Sequence, residues 1–408
     1  MLDYHLLCAF ASLLHLATAQ DIQYELVNTV VIPKVKNDFA KNNVTAQWAA
    51  SYPKEWGSED FQYQFTDPDP NDIFSATVSD NEKYLAMFNG THAKFIDLST
   101  NSTISVLNMG VPTTIVAYSL TFRSSSHDQY DVLINGGRSK YDTPNTIIRW
   151  RLGSDLQPLG DSIIYEGGVG SISKQGKLAT TSGYVYDLES TNTSAVILDG
   201  QPRISDMSFS PDGVHLSTVS WQDETADLWN ATSGEKIFTF PPTKAQNWVT
   251  RFSPNGKYIA IGLGSNNNTV QIYTLENLSA KPAEIKGFNT WPRTIEWSQD
   301  MKYIATGDVG RMRVWRVPEL ELAQTWEVSA SGNGVYELSG VAWVDGGNKL
   351  TFEFRDGRFL YDFENNIKWW WSPRVLDHLW NGSGLSFLKK MGYVVTEDGD
   401  SIVRFWKV

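Results

Sequence analysis

The sequence predicts an all-β protein that is built from repeated four-stranded sheets. The clearest copy of the repeat lies between Arg203 and Phe240. In it, Ile204 to Phe209 alternates apolar and polar residues, as a half-buried strand does. Ser210-Pro211-Asp212-Gly213 then has the composition of a tight turn. Three further short strands are predicted at Val214 to Ser220, Thr225 to Trp229 and Lys236 to Phe240. Four short antiparallel strands are typical of one blade of a β-propeller.

Segments that match the third strand of this unit recur along the chain and predict eight blades. They are Ala93 to Leu98, Ile147 to Leu152, Gly183 to Leu188, Ala226 to Trp229, Val270 to Leu275, Met312 to Val317, Arg358 to Phe363 and Ile402 to Val408. Most of them are spaced by roughly 40 residues, which is the period of propeller blades. The second and third units have poor turn signals, so a count of seven blades stays open as the alternative.

The two ends of the repeat region are predicted to share one sheet. The last third strand, Ile402 to Val408, is followed by no fourth strand in the sequence. An apolar strand left at a sheet edge is an aggregation hazard. Phe61 to Phe65 alternates strictly and precedes the first blade. We therefore expect it to supply the missing outer strand and to close the ring.

Several turns and strands resemble those of the WD-repeat family. The best matches are Ser208 to Gly213 (SFSPDG), Arg251 to Gly262 (RFSPNGKYIAIG) and Glu296 to Trp315. The family's acidic residue between the second and third strands matches Asp223, Asp308, Asp356 and Asp398. The resemblance covers residues 61–408 and implies one propeller domain. The Gly-His pair that opens a standard repeat is missing from every unit, so the family's buried His–Ser–Asp hydrogen-bond chain cannot form.

The first 60 residues precede the repeats and are predicted to contain a signal peptide. Leu6 to Ala17 is largely apolar, and Ala17-Thr18-Ala19 has small residues at the spacing of a signal-peptidase site. The apolar run is too short to span a bilayer. Its removal at residue 19 would also remove Cys8, the one cysteine of the chain. In the remaining extension, residues 20–60, we predict a strand at Ile22 to Ile32 and a short helix at Lys36 to Ala50.

Sequons for N-glycosylation support the prediction of a secreted glycoprotein. They occur at Asn43, Asn89, Asn101, Asn192, Asn230, Asn267, Asn277 and Asn381. Four of them fall in predicted turns between third and fourth strands: Asn101, Asn192, Asn230 and Asn277. Because successive strands of a blade are antiparallel, such turns emerge on one face of a propeller. We expect glycans to crowd that face.

The opposite face is the predicted ligand-binding face. The loops between blades, together with the turns between second and third strands, emerge there. The candidate ligand-binding residues are Arg203, Asn247, Trp248, Asn289, Trp291, Arg293, Tyr336 and Trp380. Exposed Trp and Arg are typical anchors of protein interfaces, and a Trp ring also suits stacking against a sugar. Packing of these tryptophans between blades is the other interpretation.

Charge and composition narrow the possible partners and chemistry. The net charge is −12, so we expect neither nucleic acid nor an anionic membrane as a partner. The histidines are scattered, and no group has the spacing of a metal site, so we predict no metal, no cofactor and no catalytic residue. Leu228 to Phe240 resembles the docking repeats of quinoprotein dehydrogenases. An extracellular propeller enzyme, either a quinoprotein-like oxidoreductase or a hydrolase or lyase, is therefore the alternative.

The predicted protein is thus a secreted, N-glycosylated propeller that acts as a monomeric binding scaffold. Its predicted partners are proteins or the polysaccharides of a cell wall or matrix. In the enzyme alternative, the site would lie at the mouth of the central channel.

Overall fold

The computed structural model describes most of the chain after residue 23. The described residues are 24–33, 35–36, 40–41, 44–65, 75–125, 128–137, 145–190, 194–200, 203–242, 244–264, 267–288, 290–308, 311–328, 340–354, 357–372, 385–397 and 401–408. Within them, all regular structure is strand except for 3₁₀ turns at Leu275–Asn277 and Asp345–Gly347. No helix in these ranges is long and apolar enough to cross a membrane.

Seven strands precede the first complete sheet. They are β1 (Tyr24–Val27), β2 (Val30–Pro33), β3 (Val35–Lys36), β4 (Ala40–Lys41), β5 (Val44–Thr45), β6 (Gln47–Trp48) and β7 (Phe61–Gln64). β1 and β2 form a hairpin, and β4 pairs with β5. The predicted helix at Lys36 to Ala50 is wrong, because the described part of this segment forms short strands instead. The predicted strand at Ile22 to Ile32 is in fact the β1–β2 hairpin, whose turn residues Asn28 and Thr29 have positive φ.

Four antiparallel sheets, blades 1 to 4, follow in order. Blade 1 is β8 (Ser75–Val78), β9 (Tyr84–Phe88), β10 (His92–Asp97) and β11 (Ser102–Asn108); blade 2 is β12 (Val116–Ser124), β13 (Tyr130–Gly137), β14 (Thr146–Leu152) and β15 (Ile163–Glu166). Blade 3 is β16 (Val169–Ile172), β17 (Lys177–Thr180), β18 (Tyr184–Asp187) and β19 (Val196–Ile197); blade 4 is β20 (Asp206–Phe209), β21 (His215–Ser220), β22 (Thr225–Asn230) and β23 (Lys236–Thr239).

Four more sheets, blades 5 to 8, complete the chain. Blade 5 is β24 (Asn247–Phe252), β25 (Tyr258–Leu263), β26 (Thr269–Thr274) and β27 (Ala283–Ile285); blade 6 is β28 (Thr294–Trp297), β29 (Tyr303–Asp308), β30 (Arg311–Arg316) and β31 (Leu322–Val328). Blade 7 is β32 (Gly340–Val344), β33 (Lys349–Phe354), β34 (Gly357–Asp362) and β35 (Ile367–Trp371); blade 8 is β36 (Leu385–Leu388), β37 (Tyr393–Glu397), β38 (Ile402–Lys407) and β7. All eight predicted third strands are confirmed. The predicted number of eight blades is confirmed as well, and the alternative of seven is wrong.

The predicted sharing of blade 8 between distant segments is also confirmed. β7 pairs antiparallel with β38, and Phe61 lies opposite Phe405. The two rings are stacked with centroids 4.3 Å apart. The pairing continues beyond the strand, because the Lys407 backbone N–H donates to the Asp60 carboxylate at 2.8 Å. β7 therefore covers the edge that β38 would otherwise expose.

The chain divides into two compact units, each of which is assembled from several segments. The first unit contains Met1–Ser58, Ala260–Ile272 and Lys281–Pro373, and so includes blades 6 and 7. The second contains Glu59–Ile259, Tyr273–Ala280 and Arg374–Val408, and so includes blades 1 to 4 and blade 8.

In the first unit the N-terminal extension adds a fifth strand to each of two blades. β3 pairs antiparallel with β31, and β6 pairs parallel with β35. Val30, Ile32 and Ala46 join the aromatic core of these blades, which contains Trp326, Phe352, Phe359, Tyr361 and Trp370. The extension is therefore an integral part of this unit's core.

Three blades share a buried hydrogen bond from a tryptophan at or near the end of the third strand. The indole N–H of Trp229 donates to Thr218 Oγ1 at 2.8 Å. The same bond joins Trp315 to Thr306 and Trp406 to Thr396, each at 2.9 Å. Because a buried donor must be paired, this bond lets a large apolar side chain fill each of these sheets without leaving its N–H unsatisfied.

Candidate functional site

The second unit brings together two half-buried tryptophans from neighbouring blades. Trp221 follows β21 of blade 4, and Trp248 lies in β24, the first strand of blade 5. Their rings are 5.6 Å apart between centroids and only 4° from parallel. This is the offset stacking that aromatic pairs prefer. We call Trp221 and Trp248 the tryptophan pair.

Polar side chains hold β24 against the first strand of blade 4 and so fix the position of Trp248. The Asp206 carboxylate accepts from the Thr250 backbone N–H at 2.8 Å and from the Arg251 guanidinium at 2.6 Å. The Phe252 backbone N–H donates to Ser208 Oγ at 3.1 Å. The two bonds to the Asp206 carboxylate are charge-assisted, and such bonds are among the stronger ones in proteins. The strand that carries Trp248 is thus held at several points along its length.

The other tryptophan is fixed by the turn that carries it. The Trp221 backbone N–H donates to Ser205 Oγ at 3.0 Å, which ties this turn to the residue before β20. Two residues on, the Asp223 N–H donates to Ser220 Oγ at 3.1 Å. Gln222, Asp223 and Glu224 are exposed. The turn therefore presents an aromatic ring beside polar, solvent-exposed side chains.

Arg203 lies beside this turn, whereas Asn247 does not contribute an exposed group. The exposed Arg203 donates from Nη1 to Gln222 Oε1 at 3.2 Å. Asn247 is only 2% exposed, and its Oδ1 atom is buried without a hydrogen-bond partner among the described residues. Of the predicted ligand-binding residues in this unit, Arg203 and Trp248 are accessible, and Asn247 is better interpreted as part of the core.

The first unit contains two more of the predicted ligand-binding residues, and these contact each other. The Arg293 guanidinium lies over the Trp291 ring, 4.7 Å from its centroid. Both side chains are half-buried. A cation over an indole face is a favourable contact. Arg293 and Trp291 therefore each use one face of the side chain for a contact within the chain, and that face is not available to a ligand.

The remaining predicted ligand-binding residues, Asn289, Tyr336 and Trp380, lie outside the described residues. Conversely, sequence reasoning missed Trp221 and Gln222. Their signal was available, because a tryptophan directly after a second strand, in a polar turn, lies on the same side as the loops between blades.

The described sequons differ in exposure. Asn101 and Asn277 are exposed in turns between third and fourth strands, and Asn230 ends the third strand of blade 4. Asn267 lies half-buried between second and third strands. Asn89 is 5% exposed, and its Oδ1 accepts from the backbone N–H groups of Thr91 and His92. Asn89 is thus the most buried of the described sequon asparagines, and its glycosylation stays a prediction. Asn43, Asn192 and Asn381 lie outside the described residues.

No group of three or more His, Cys, Asp or Glu side chains among the described residues is arranged to hold a metal ion. His92 and His215 lie at the starts of β10 and β21, in different blades.

Comparisons with known proteins agree with the fold. The sequence profile of the family described as "Eukaryotic translation initiation factor eIF2A" matches residues 160–318, which is less than half of the chain. The crystal structure of the C-terminal WD40 domain of Sif2 superposes with a TM-score of 0.64 at 12% identity, covering 86% of this chain and 98% of that one.

Two sequence relatives cover shorter stretches. Protein HIR1 of Eremothecium gossypii is 27% identical over 180 residues, which are 42% of this chain and 21% of the relative. Serine-threonine kinase receptor-associated protein of Mus musculus is 29% identical over 93 residues, which are 23% of this chain and 26% of the relative. This chain thus spans about a quarter of the length of either protein. Together with the sheets described above, these matches show the fold, a β-propeller with eight blades that is similar to WD-repeat propellers.

Proposed function

We propose that this chain is a scaffold that binds partner proteins through the tryptophan pair and Arg203. The observation that carries the proposal is the parallel, half-buried stack of Trp221 and Trp248 beside an exposed arginine. Tryptophan and arginine are enriched among the residues that dominate binding energy. A ring that is already held in place loses little conformational freedom when a partner packs on it. The matched propellers support the general role of a binding scaffold.

Affinity capture with matched variants tests this proposal. We expect partners captured by the wild-type chain to be lost with the double variant Trp221→Ala, Trp248→Ala, and to be weakened by Arg203→Ala. Trp56→Ala is the matched control, because Trp56 is an exposed tryptophan of the first unit. Thermal melting must show that each variant is folded. Capture that is unchanged in the folded double variant would contradict the proposal.

The tryptophan pair also suits a polysaccharide of a cell wall or matrix, since an indole face packs against the apolar face of a sugar ring. Titration with a soluble glucan, monitored by tryptophan fluorescence, tests this candidate. A change that is abolished in the double variant would favour sugar binding. Equal changes in the wild type and the double variant would rule the pair out as the sugar site.

The proposed location of the protein is extracellular, with N-linked glycans. The support is the apolar segment before residue 20 and the exposure of Asn101 and Asn277 in turns. Expression of the full chain in a eukaryotic host should place the protein in the medium, with a mobility that an N-glycosidase increases. An unglycosylated protein retained in the cell would overturn this location without affecting the scaffold proposal. The enzyme alternative stays untested, and Leu228 to Phe240, which prompted it, forms an ordinary β22–β23 turn and strands.

A further inference from the structure

One outer strand of the second unit has an unusually long exposed edge. In the described part of the chain, no strand pairs with the outer side of β11. β11 has seven residues, whereas the other outer strands that lack a fifth strand have two to four. It contains no charged residue, and Ile104 and Val106 are 37% and 54% exposed.

Such an edge is a template for pairing with another chain. Proteins usually protect an edge with a charged residue, a proline, a β-bulge or a covering segment. β11 has a bulge next to Thr103, but beyond it the stretch from Ser105 to Asn108 stays in regular register with β10. Among the described residues no strand pairs with the outer side of this stretch, so its backbone groups and the exposed Val106 side chain can pair with a second copy of the chain.

The residue just before this strand carries a sequon. Asn101 is exposed and has a positive φ of 57°. The turn itself is held by Asp97, whose carboxylate accepts from the Ser99 and Thr100 backbone N–H groups. The described residues show no hydrogen bond to the Asn101 side chain. Its amide is therefore available for modification without loss of the turn.

We propose that an N-linked glycan on Asn101 covers the β11 edge and prevents edge-to-edge association of the protein. The glycan is large and strongly hydrated, and it is attached directly before the strand with which a second copy would pair. This inference rests on the proposed extracellular location. It assigns to this one sequon a role that the others do not share.

Substitutions at the third position of the sequon provide the test, because Thr103 is exposed and its replacement leaves Asn101 in place. Thr103→Ala removes the sequon, whereas Thr103→Ser keeps it. We expect the secreted Thr103→Ala protein to lose one glycan and to elute mainly as dimers or larger species. Thr103→Ser should remain a glycosylated monomer. Ser279→Ala, which removes the exposed sequon at Asn277, should lose one glycan and remain monomeric.

A second substitution shows whether association uses β11. A lysine on an edge strand disfavours pairing, so Val106→Lys added to Thr103→Ala should restore the monomer. Ile237→Lys is the matched control, since Ile237 is exposed on the outer strand of blade 4, and it should restore nothing. Monomeric Thr103→Ala, or equal rescue by both lysines, would overturn the inference alone. If neither Asn101 nor Asn277 carries a glycan in the wild-type protein, the proposed extracellular location fails together with the inference.

Discussion

β31 of blade 6 and β11 of blade 1 are both fourth strands of seven residues, yet their environments are opposite. Trp326 on β31 is fully buried, whereas Val106 on β11 is 54% exposed. The difference has two sources. Phe352 and Tyr361 of blade 7 pack against Trp326, and β3 pairs with β31, whereas no described strand pairs with the outer side of β11. The repeat thus determines the sheet, and the segment before it adds a strand to some of the outer edges.

Loss of the shared sheet should have the largest effect. Deleting Val403–Val408 removes the fully buried Phe405 and Trp406 and leaves β7 without its partner. The lost burial is comparable to the whole stability of a domain, about 5–15 kcal/mol. We expect no secreted, cooperatively melting protein. A truncated chain with a sharp thermal transition would show that blade 8 is dispensable.

The next largest effect is expected from a direct comparison of the two outer strands, in which one side chain on β31 and one on β11 are shortened to alanine. Trp326→Ala should lower the free energy of unfolding by about 3–5 kcal/mol, because it opens a cavity beside Phe352 and Tyr361. Val106→Ala should change it by less than about 0.5 kcal/mol, since the side chain is largely in water. Urea denaturation of glycosylated protein measures both. Equal costs would mean that β31 and β11 have similar environments in solution.

A third pair of variants tests whether the N-terminal hairpin is part of the first unit's core. Ile32 is 1% exposed, whereas Leu26, on the other strand of the hairpin, is 70% exposed. Ile32→Ala should lower the free energy of unfolding by about 2–4 kcal/mol, and Leu26→Ala by less than about 0.5 kcal/mol. If neither variant changes the denaturation midpoint, the hairpin does not contribute to the stability of this core.

The smallest effect concerns the turn between first and second strands, which blades 4 and 5 build in the same way. In blade 4, Ser210 Oγ donates to the Asp212 carboxylate, and this bond and the one from the Val214 N–H lower the pKa of Asp212 below its usual 3.8. Blade 5 uses Asn255 in the same role. Since the folded-state pKa is lowered, the stabilisation is complete above the ordinary pKa and is lost as pH falls through the folded value.

Asp212→Asn should therefore remove a small acid-sensitive contribution while it keeps the turn. The difference in denaturation midpoint between wild type and variant should shrink as pH falls from about 5 to about 2. Asn255→Ala is the control, because it has no titrating group and its effect should be independent of pH. A constant difference for Asp212→Asn would contradict the role of this carboxylate.

The sequence predicted the third strands well because each is an apolar run that ends at a turn, as Thr225–Asn230 does. It predicted a helix at Lys36 to Ala50 because the strands there have two residues each. Such strands are too short for any period to appear, and two of them take their partners from residues some 300 positions away. Similarly, the sequon Asn89-Gly90-Thr91 does not show in sequence that Asn89 is a turn residue with only 5% exposure, whose Oδ1 accepts two backbone hydrogen bonds.

At the candidate site, composition suggested Trp248 and Arg203, but no pattern could show which ring stacks on Trp248. The stack forms where β24 lies beside β20, and the Asp206–Arg251 ion pair is one of the contacts between these first strands of successive blades. Such contacts follow from the arrangement of whole sheets, which local periodicity does not contain.

The bond between Lys407 and Asp60 joins residues 347 positions apart. On a ribosome, β7 leaves the exit tunnel long before its partner β38 has been translated. Blade 8 can therefore form only after β38 has been synthesised, so each nascent chain carries Phe61 and Tyr63 unpaired until then. Long-range pairing of this kind is slow, and until it forms the aromatic side chains of β7 and β38 lack the contacts that bury them in the finished sheet.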